Sequence, residues 1–219
     1  MDHLVILGDL FEFFFGFKKF FSTENSLAFA DYLPVLQKLQ SLNRQGIQIK
    51  YFEGNHDFFL HPFFAEQLDM EVEVYPNGTE ERLGKMRTFM AHGDLSNPEQ
   101  WGYRAFRRIL KNRWTYHLIQ LAGPQLSRWV AFKIAGNSYP KYHSNGQSPL
   151  PSFRTFAHQK FLEGFEVVIL GHSHFPEEVE EWINGRRYLY YNVGDWAVHR
   201  SYLRFFPPDR FQLERYKEG

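Results

Sequence analysis

The sequence predicts an α/β fold whose chemistry collects at the C-terminal ends of parallel strands. Three observations predict it. Short apolar runs recur along the chain, and each ends in ligand-type residues such as Gly8-Asp9 or Gly171-His172. Amphipathic helical stretches lie between several of these runs, as crossovers between parallel strands require. The last part of the chain alternates polar and apolar residues in the manner of antiparallel strands.

Taken in order, Leu4-Val5-Ile6-Leu7 is a strand that delivers the carboxylate of Asp9 at its edge. Phe11 to Phe21 has no clean period and reads as a loop or short helical turn, lining an apolar groove or simply joining the core. Asp31 to Gln45 is helical, with Asp31 as cap, Pro34 in the first turn, Leu33, Leu36 and Leu39 on one face, and Gly46 as the stop. Ile47 to Phe52 is a second strand, ending in Glu53-Gly54-Asn55-His56-Asp57, and His61 to Leu68 is a short helix. Val72 to Tyr75 and Met86 to Ala91 read as strands joined through Pro76-Asn77-Gly78, the second ending in His92-Gly93-Asp94. From 98 to 161 long basic and aromatic helices appear, punctuated by Gly123-Pro124 and Gly136-Asn137, and read as a helical insertion covering the strand edges or as a bundle with a solvated basic face. Phe165 to Leu170 is a buried strand followed by Gly171-His172-Ser173-His174. Val179 to Leu213 is antiparallel, with a hairpin turn at Asn184-Gly185, and contains Asn192-Val193-Gly194-Asp195-Trp196.

Composition narrows the chemistry. The 219 residues suffice for one well-buried domain with an inserted part. Lysine plus arginine and aspartate plus glutamate balance at 25 each, so no nucleic-acid partner is expected. The chain has no cysteine, which leaves carboxylates and its 10 histidines as the strong metal ligands. The 24 phenylalanines imply an aromatic core, an apolar groove or a membrane-facing patch. Neither a transmembrane run nor a secretory leader is visible, which is compatible with a cytoplasmic protein.

Four strand ends therefore present Asp9, Asn55-His56, His92 and His172-Ser173-His174. Each fragment alone is compatible with a turn or a cap; together they form an oxygen and nitrogen donor set suited to Mn, Zn, Fe or Ni. Two such ions sharing a carboxylate generate a hydroxide near neutral pH and clamp both oxygens of a phosphoryl transfer.

The order Gly8-Asp9-Leu10-Phe11-Glu12, Gly54-Asn55-His56-Asp57, His92-Gly93-Asp94 and Gly171-His172-Ser173-His174 resembles the calcineurin-like metallophosphoesterase superfamily. With the basic aromatic insertion and Asn192-Val193-Gly194-Asp195-Trp196, it is most similar to the UDP-2,3-diacylglucosamine hydrolase group. The resemblance implies one domain over 1–219: a metallophosphoesterase-type β-sandwich flanked by helices, with residues 98–161 as a lid. It implies two divalent metal ions, Mn in the first place. Asp9 would bridge them, Asn55, His92 and His172 would complete one site, and His174 would belong to the other. His56 and Asn55 would act in catalysis, His56 beside the phosphate, where lipid-branch members carry Arg. Asp94, Arg104, Arg107, Arg108, Lys111 and Arg128 would contact a UDP-linked acylated glucosamine at the inner face of the bacterial cytoplasmic membrane, and the products would be UMP and diacylglucosamine 1-phosphate. The pattern also calls for an Asp-x-His strand upstream of Asp9. Asp2 and His3 cannot supply it, because they are adjacent and precede the strand that bears Asp9. One ion's site is then incomplete in this chain, through a late start codon, a truncated gene or a functional variant. A different phosphoester substrate, and a non-catalytic scaffold of the same fold, are the alternative readings.

Overall fold

A computed structural model describes residues 2–18, 27–135 and 150–217, without the side chains of residues 27, 28, 128, 130–132, 134 and 135. The fold is α/β, and the chain forms two compact units. The first comprises Met1–Pro76 and Gln100–Pro140, the second Asn77–Glu99 and Lys141–Gly219.

The first unit is built on a three-stranded parallel sheet of β1 (His3–Ile6), β3 (Gln48–Phe52) and β5 (Val72–Tyr75), in the order β1-β3-β5. The central strand is the most buried: Ile49, Tyr51 and Phe52 are buried. Helix α1 (Leu33–Arg44) makes the crossover from β1 to β3, burying Leu36 and Leu39. Its cap differs from expectation. The chain enters α1 from a 3-10 segment, Leu27–Tyr32, so Tyr32 at φ −88° and ψ −21° already has helical backbone and no side chain caps the first turn.

The phenylalanine run is core rather than groove among its described residues. Phe11, Phe14, Phe15 and Phe17 are all buried, and the Phe14 ring meets Phe63 edge-on at 4.9 Å. Phe14–Phe15 forms β2, which pairs in parallel with β4 (Asp57–Phe58), an arrangement without alternation and so without a sequence signal. Phe20 and Phe21 lie outside the described residues. Helix α2 (Leu60–Leu68) seals this cluster with Leu60, Phe63, Phe64 and Leu68. The unit also contains α3 (Trp101–Leu110) and α4 (Arg113–Ala135); α4 is two segments broken at Gly123, just before Pro124.

The second unit carries a five-stranded mixed sheet in the order β6-β7-β8-β10-β9. Its members are β6 (Thr79–Leu83), β7 (Met86–Ala91), β8 (Val167–Leu170), β9 (Pro176–Ile183) and β10 (Arg186–Val193). β6 was not expected: Thr-Glu-Glu-Arg-Leu has no apolar run and forms an edge strand antiparallel to β7. The hairpin turn at Asn184-Gly185 is as the sequence predicts. Helix α5 (Pro151–Leu162) covers the sheet with Phe153, Ala157 and Phe161 against Val168, Leu170 and Tyr190. The stretch 98–161 is thus shared: α3 and α4 belong to the first unit, α5 to the core of the second. A hairpin of β11 (Ser201–Phe206) and β12 (Arg210–Arg215) ends the chain.

Candidate metal centre

In the first unit the β1 and β3 ends are laced together by two carboxylates. Asp9, in left-handed backbone at φ 53°, accepts the His56 backbone N–H on Oδ1 at 2.9 Å. Gly54 makes this approach possible, because a Cβ there would fall on that same carboxylate oxygen. Asp57 is fully buried. Its Oδ1 accepts the Gly54 N–H at 2.5 Å, and its Oδ2 accepts the Tyr51 hydroxyl and the Leu10 N–H, the latter at 3.3 Å. Burial, then the charge of Asp57, hold the Tyr51 phenol well above its ordinary pKa, so Tyr51 is a donor at any physiological pH. Asn55 is half-buried at the head of this turn. The His56 ring places Nδ1 2.7 Å from the Glu12 carbonyl. A carbonyl only accepts, so Nδ1 carries a proton and Nε2 is the nitrogen left for chemistry.

In the second unit the β7 and β8 ends bring two imidazoles together. His92 Nε2 and His172 Nδ1 stand 3.0 Å apart, with the rings edge-on at 4.9 Å between centroids. Two ring nitrogens at that separation either share one proton or, both unprotonated, face a common cation. The donor chemistry therefore fits a divalent ion. The loop bearing His172 and His174 is strained: they have φ of 63° and 59°, a conformation that costs roughly 1–3 kcal/mol per residue and is held only by its surroundings. The Gly171 N–H donates to the His92 carbonyl at 2.9 Å and ties the two strand ends. His174 is exposed, with Nδ1 3.8 Å from Asp195 Oδ2. Asp94 is buried just beyond His92.

The cations expected to hold substrate divide. Arg104 is half-buried and Arg108 exposed on α3. Arg107 and Lys111 instead have internal roles, which revises the expectation for both. Arg107 is buried and donates to the Pro76 carbonyl at 2.9 Å. Lys111 Nζ pairs with Glu53 Oε2 at 3.2 Å and donates to Pro76 O at 3.1 Å, while Glu53 Oε1 accepts the Leu60 N–H. With side-chain exposures of 12% and 6%, this is a buried ion pair, and it anchors α3 to the residue preceding Gly54-Asn55-His56. The Arg128 side chain lies outside the described residues. Glu53 and Asp57 belong to the strand end that the sequence singles out, yet neither they nor Tyr51 were expected to shape the site. The signal for Tyr51 and Glu53 was weak: a polar-capable ring near the end of β3 and a carboxylate just beyond it.

No protein-family profile matches the chain. UDP-2,3-diacylglucosamine hydrolase of Tolumonas auensis is 31% identical over 183 residues, covering 80% of this chain and 68% of that protein. The Aeromonas hydrophila protein of the same name is 29% identical over 80% of this chain and 69% of its own. Among solved structures, a novel archaeal phosphodiesterase aligns over 98% of this chain and 82% of its own, at 12% identity and a TM-score of 0.41. An uncharacterised Streptococcus pneumoniae protein reaches 0.37 at 12% identity, covering 92% of this chain and 78% of its own.

The histidine and carboxylate donors at the strand ends, with the two hydrolases similar in sequence, define a metal-dependent phosphoesterase. The chain belongs to the UDP-2,3-diacylglucosamine hydrolase family.

Proposed function

We propose that this chain hydrolyses the pyrophosphate of UDP-2,3-diacylglucosamine to UMP and diacylglucosamine 1-phosphate. The single observation that carries the substrate is its 31% identity to a relative of that name. Asp9 and Asn55 in the first unit, and His92, His172 and His174 in the second, are the donors we assign to divalent ions, with Mn as the first candidate. When bound, such ions lower the pKa of water and neutralise charge on phosphoryl oxygens. The chain's own residues do the rest. Asp57 and Tyr51 fix the backbone between Gly54 and His56, so Asn55 and His56 are presented in one geometry. His56, held by the Glu12 carbonyl through Nδ1, offers Nε2 to the phosphoryl group. As an imidazolium it stabilises negative charge there and passes a proton to the leaving oxygen. On α3 we assign Arg104 and Arg108 to the pyrophosphate, and Asp94 as a polar contact for the substrate.

Contact with a membrane surface is part of the same reading. Trp114, Leu118 and Leu121 stand 73%, 66% and 84% exposed at i, i+4 and i+7 on one face of α4, where diacyl substrate would be met. Among the described residues no helix is long and apolar enough to cross a membrane.

His56 favours a second reading. The general superfamily pattern has His at this place, so a different nucleotide or phosphoester is the alternative substrate. A panel of UDP-2,3-diacylglucosamine, UDP-N-acetylglucosamine, ADP-ribose and bis(p-nitrophenyl) phosphate, assayed with and without Mn, separates the two. Chelator-sensitive cleavage of the acylated substrate at a kcat/KM at least a hundredfold above the others is expected. Cleavage of the soluble esters alone would transfer the chain to the second reading.

A further inference from the structure

The segment from Asn192 to Trp196 has no part in the chemistry proposed above, yet its first residue is fully buried beside the ligand loop of the second unit. Both ends of the Asn192 side chain are used. Nδ2 donates to the Gly171 carbonyl at 2.8 Å and lies 3.3 Å from the Tyr190 hydroxyl, while Oδ1 accepts the Gly194 N–H at 3.2 Å. Gly171 immediately precedes His172. One amide thus holds the head of the loop bearing His172 and His174 and the turn that leads to Asp195.

That turn is equally constrained. Gly194 sits at φ 73°, and a Cβ there would collide with the Ser201 hydroxyl and come within 2.9 Å of Pro176. The Ser201 hydroxyl in turn donates to the Val193 carbonyl at 2.6 Å. Asp195 Oδ1 then accepts the N–H groups of Val198 and His199, each at 2.8 Å. Its Oδ2 is left facing His174 Nδ1 at 3.8 Å and His199 Nδ1 at 3.5 Å. The contacts run from Gly171 through Asn192 and Gly194 to Asp195, and back to His174 three residues after Gly171.

We infer that Asn192 is a positioning residue, fixing the aim of the His172 and His174 imidazoles through the Gly171 carbonyl and through Asp195. This rests on the reading of those histidines as metal donors. The strained backbone at both makes the role necessary: left-handed histidines persist only where neighbours over-determine them. Partners of this kind around ligating histidines change metal affinity by roughly 10–100-fold when lost.

Asn192→Asp tests it, because it keeps shape and the acceptor for Gly194 while setting a carboxylate oxygen against the Gly171 carbonyl. Two readouts are taken on the full chain: Co2+ titration followed by its visible spectrum, and imidazole 1H–15N resonances of His172 and His174 without metal. The expected result is a 10–100-fold loss of Co2+ affinity with a changed spectrum, and displaced resonances of both histidines. Tyr190→Phe, which removes only the 3.3 Å contact, should leave both readouts native. If Asn192→Asp loses its far-UV circular dichroism, Asp195→Asn replaces it; that variant keeps the acceptor for Val198 and His199 and should weaken Co2+ and move the His174 resonance. Native affinity and native resonances in a folded variant would overturn the inference. If the unsubstituted chain takes up no Co2+, the metal reading itself fails, and the metal-free resonances alone decide the positioning role.

Discussion

Asp57 shows how a single buried carboxylate organises a strand end. It has no exposure and is matched by the Tyr51 hydroxyl and two backbone N–H groups, so the turn through Asn55 and His56 is held from below. Tyr51→Phe should cost about 1.5–3 kcal/mol, the worth of a hydrogen bond to a charged group, measured by urea unfolding at pH 7. The same variant has a pH signature. The folded state raises the phenol pKa, so Tyr51 contributes its full stability below the unfolded value near 10. That contribution is lost as pH rises from there through the folded pKa. Native chain should therefore lose stability above about pH 10, and Tyr51→Phe should lose it less steeply, with Tyr116, Tyr190 and Tyr191, raised chiefly by burial, and Tyr202, raised chiefly by its hydrogen bond to Glu214, contributing to the remaining slope. Equal slopes in both proteins would refute the assignment.

At the scale of elements, α3 is fastened rather than draped. The Glu53–Lys111 pair joins it to the loop that ends β3, and the Arg107 bond to Pro76 joins it to the end of β5. Lys111→Met strands a buried carboxylate and should destabilise the chain by about 3–5 kcal/mol, whereas Lys111→Met with Glu53→Gln should recover most of that loss. A double variant no more stable than the single one would show that the pair is not the fastening. On α4, Leu118→Glu with Leu121→Glu should leave stability within about 0.5 kcal/mol and reduce co-sedimentation with anionic vesicles at least fivefold. Unchanged sedimentation would remove the membrane from the account.

Across the molecule, strand ends were more legible in sequence than the packing between them. Asp9, Asn55, His92, His172 and His174 stand out in the sequence because an apolar run is followed by a ligand-type residue, and the second unit brings His92 and His172 to 3.0 Å; their role as metal donors is part of the proposal. Strands β2 and β4 were not legible, since two-residue pairing leaves no period, and β6 was hidden by its charge. Arg107 and Lys111 misled for a physical reason. A basic helix face looks alike in sequence whether its cations meet a phosphate or a buried glutamate, and only Glu53 on another element decides between them. The phenylalanine run was similarly ambiguous until its burial showed which surface it makes.

The proposed reaction is metal-dependent hydrolysis at the uridine-bearing phosphorus, and one measurement meets it directly. UDP-2,3-diacylglucosamine is incubated with the Mn-loaded chain in H2(18)O, and the products are read by mass spectrometry. The predicted result is UMP carrying one 18O and unlabelled diacylglucosamine 1-phosphate, abolished by chelator and reduced at least a hundredfold by His92→Ala. Label in the sugar phosphate, or turnover that survives both chelator and His92→Ala, would contradict it.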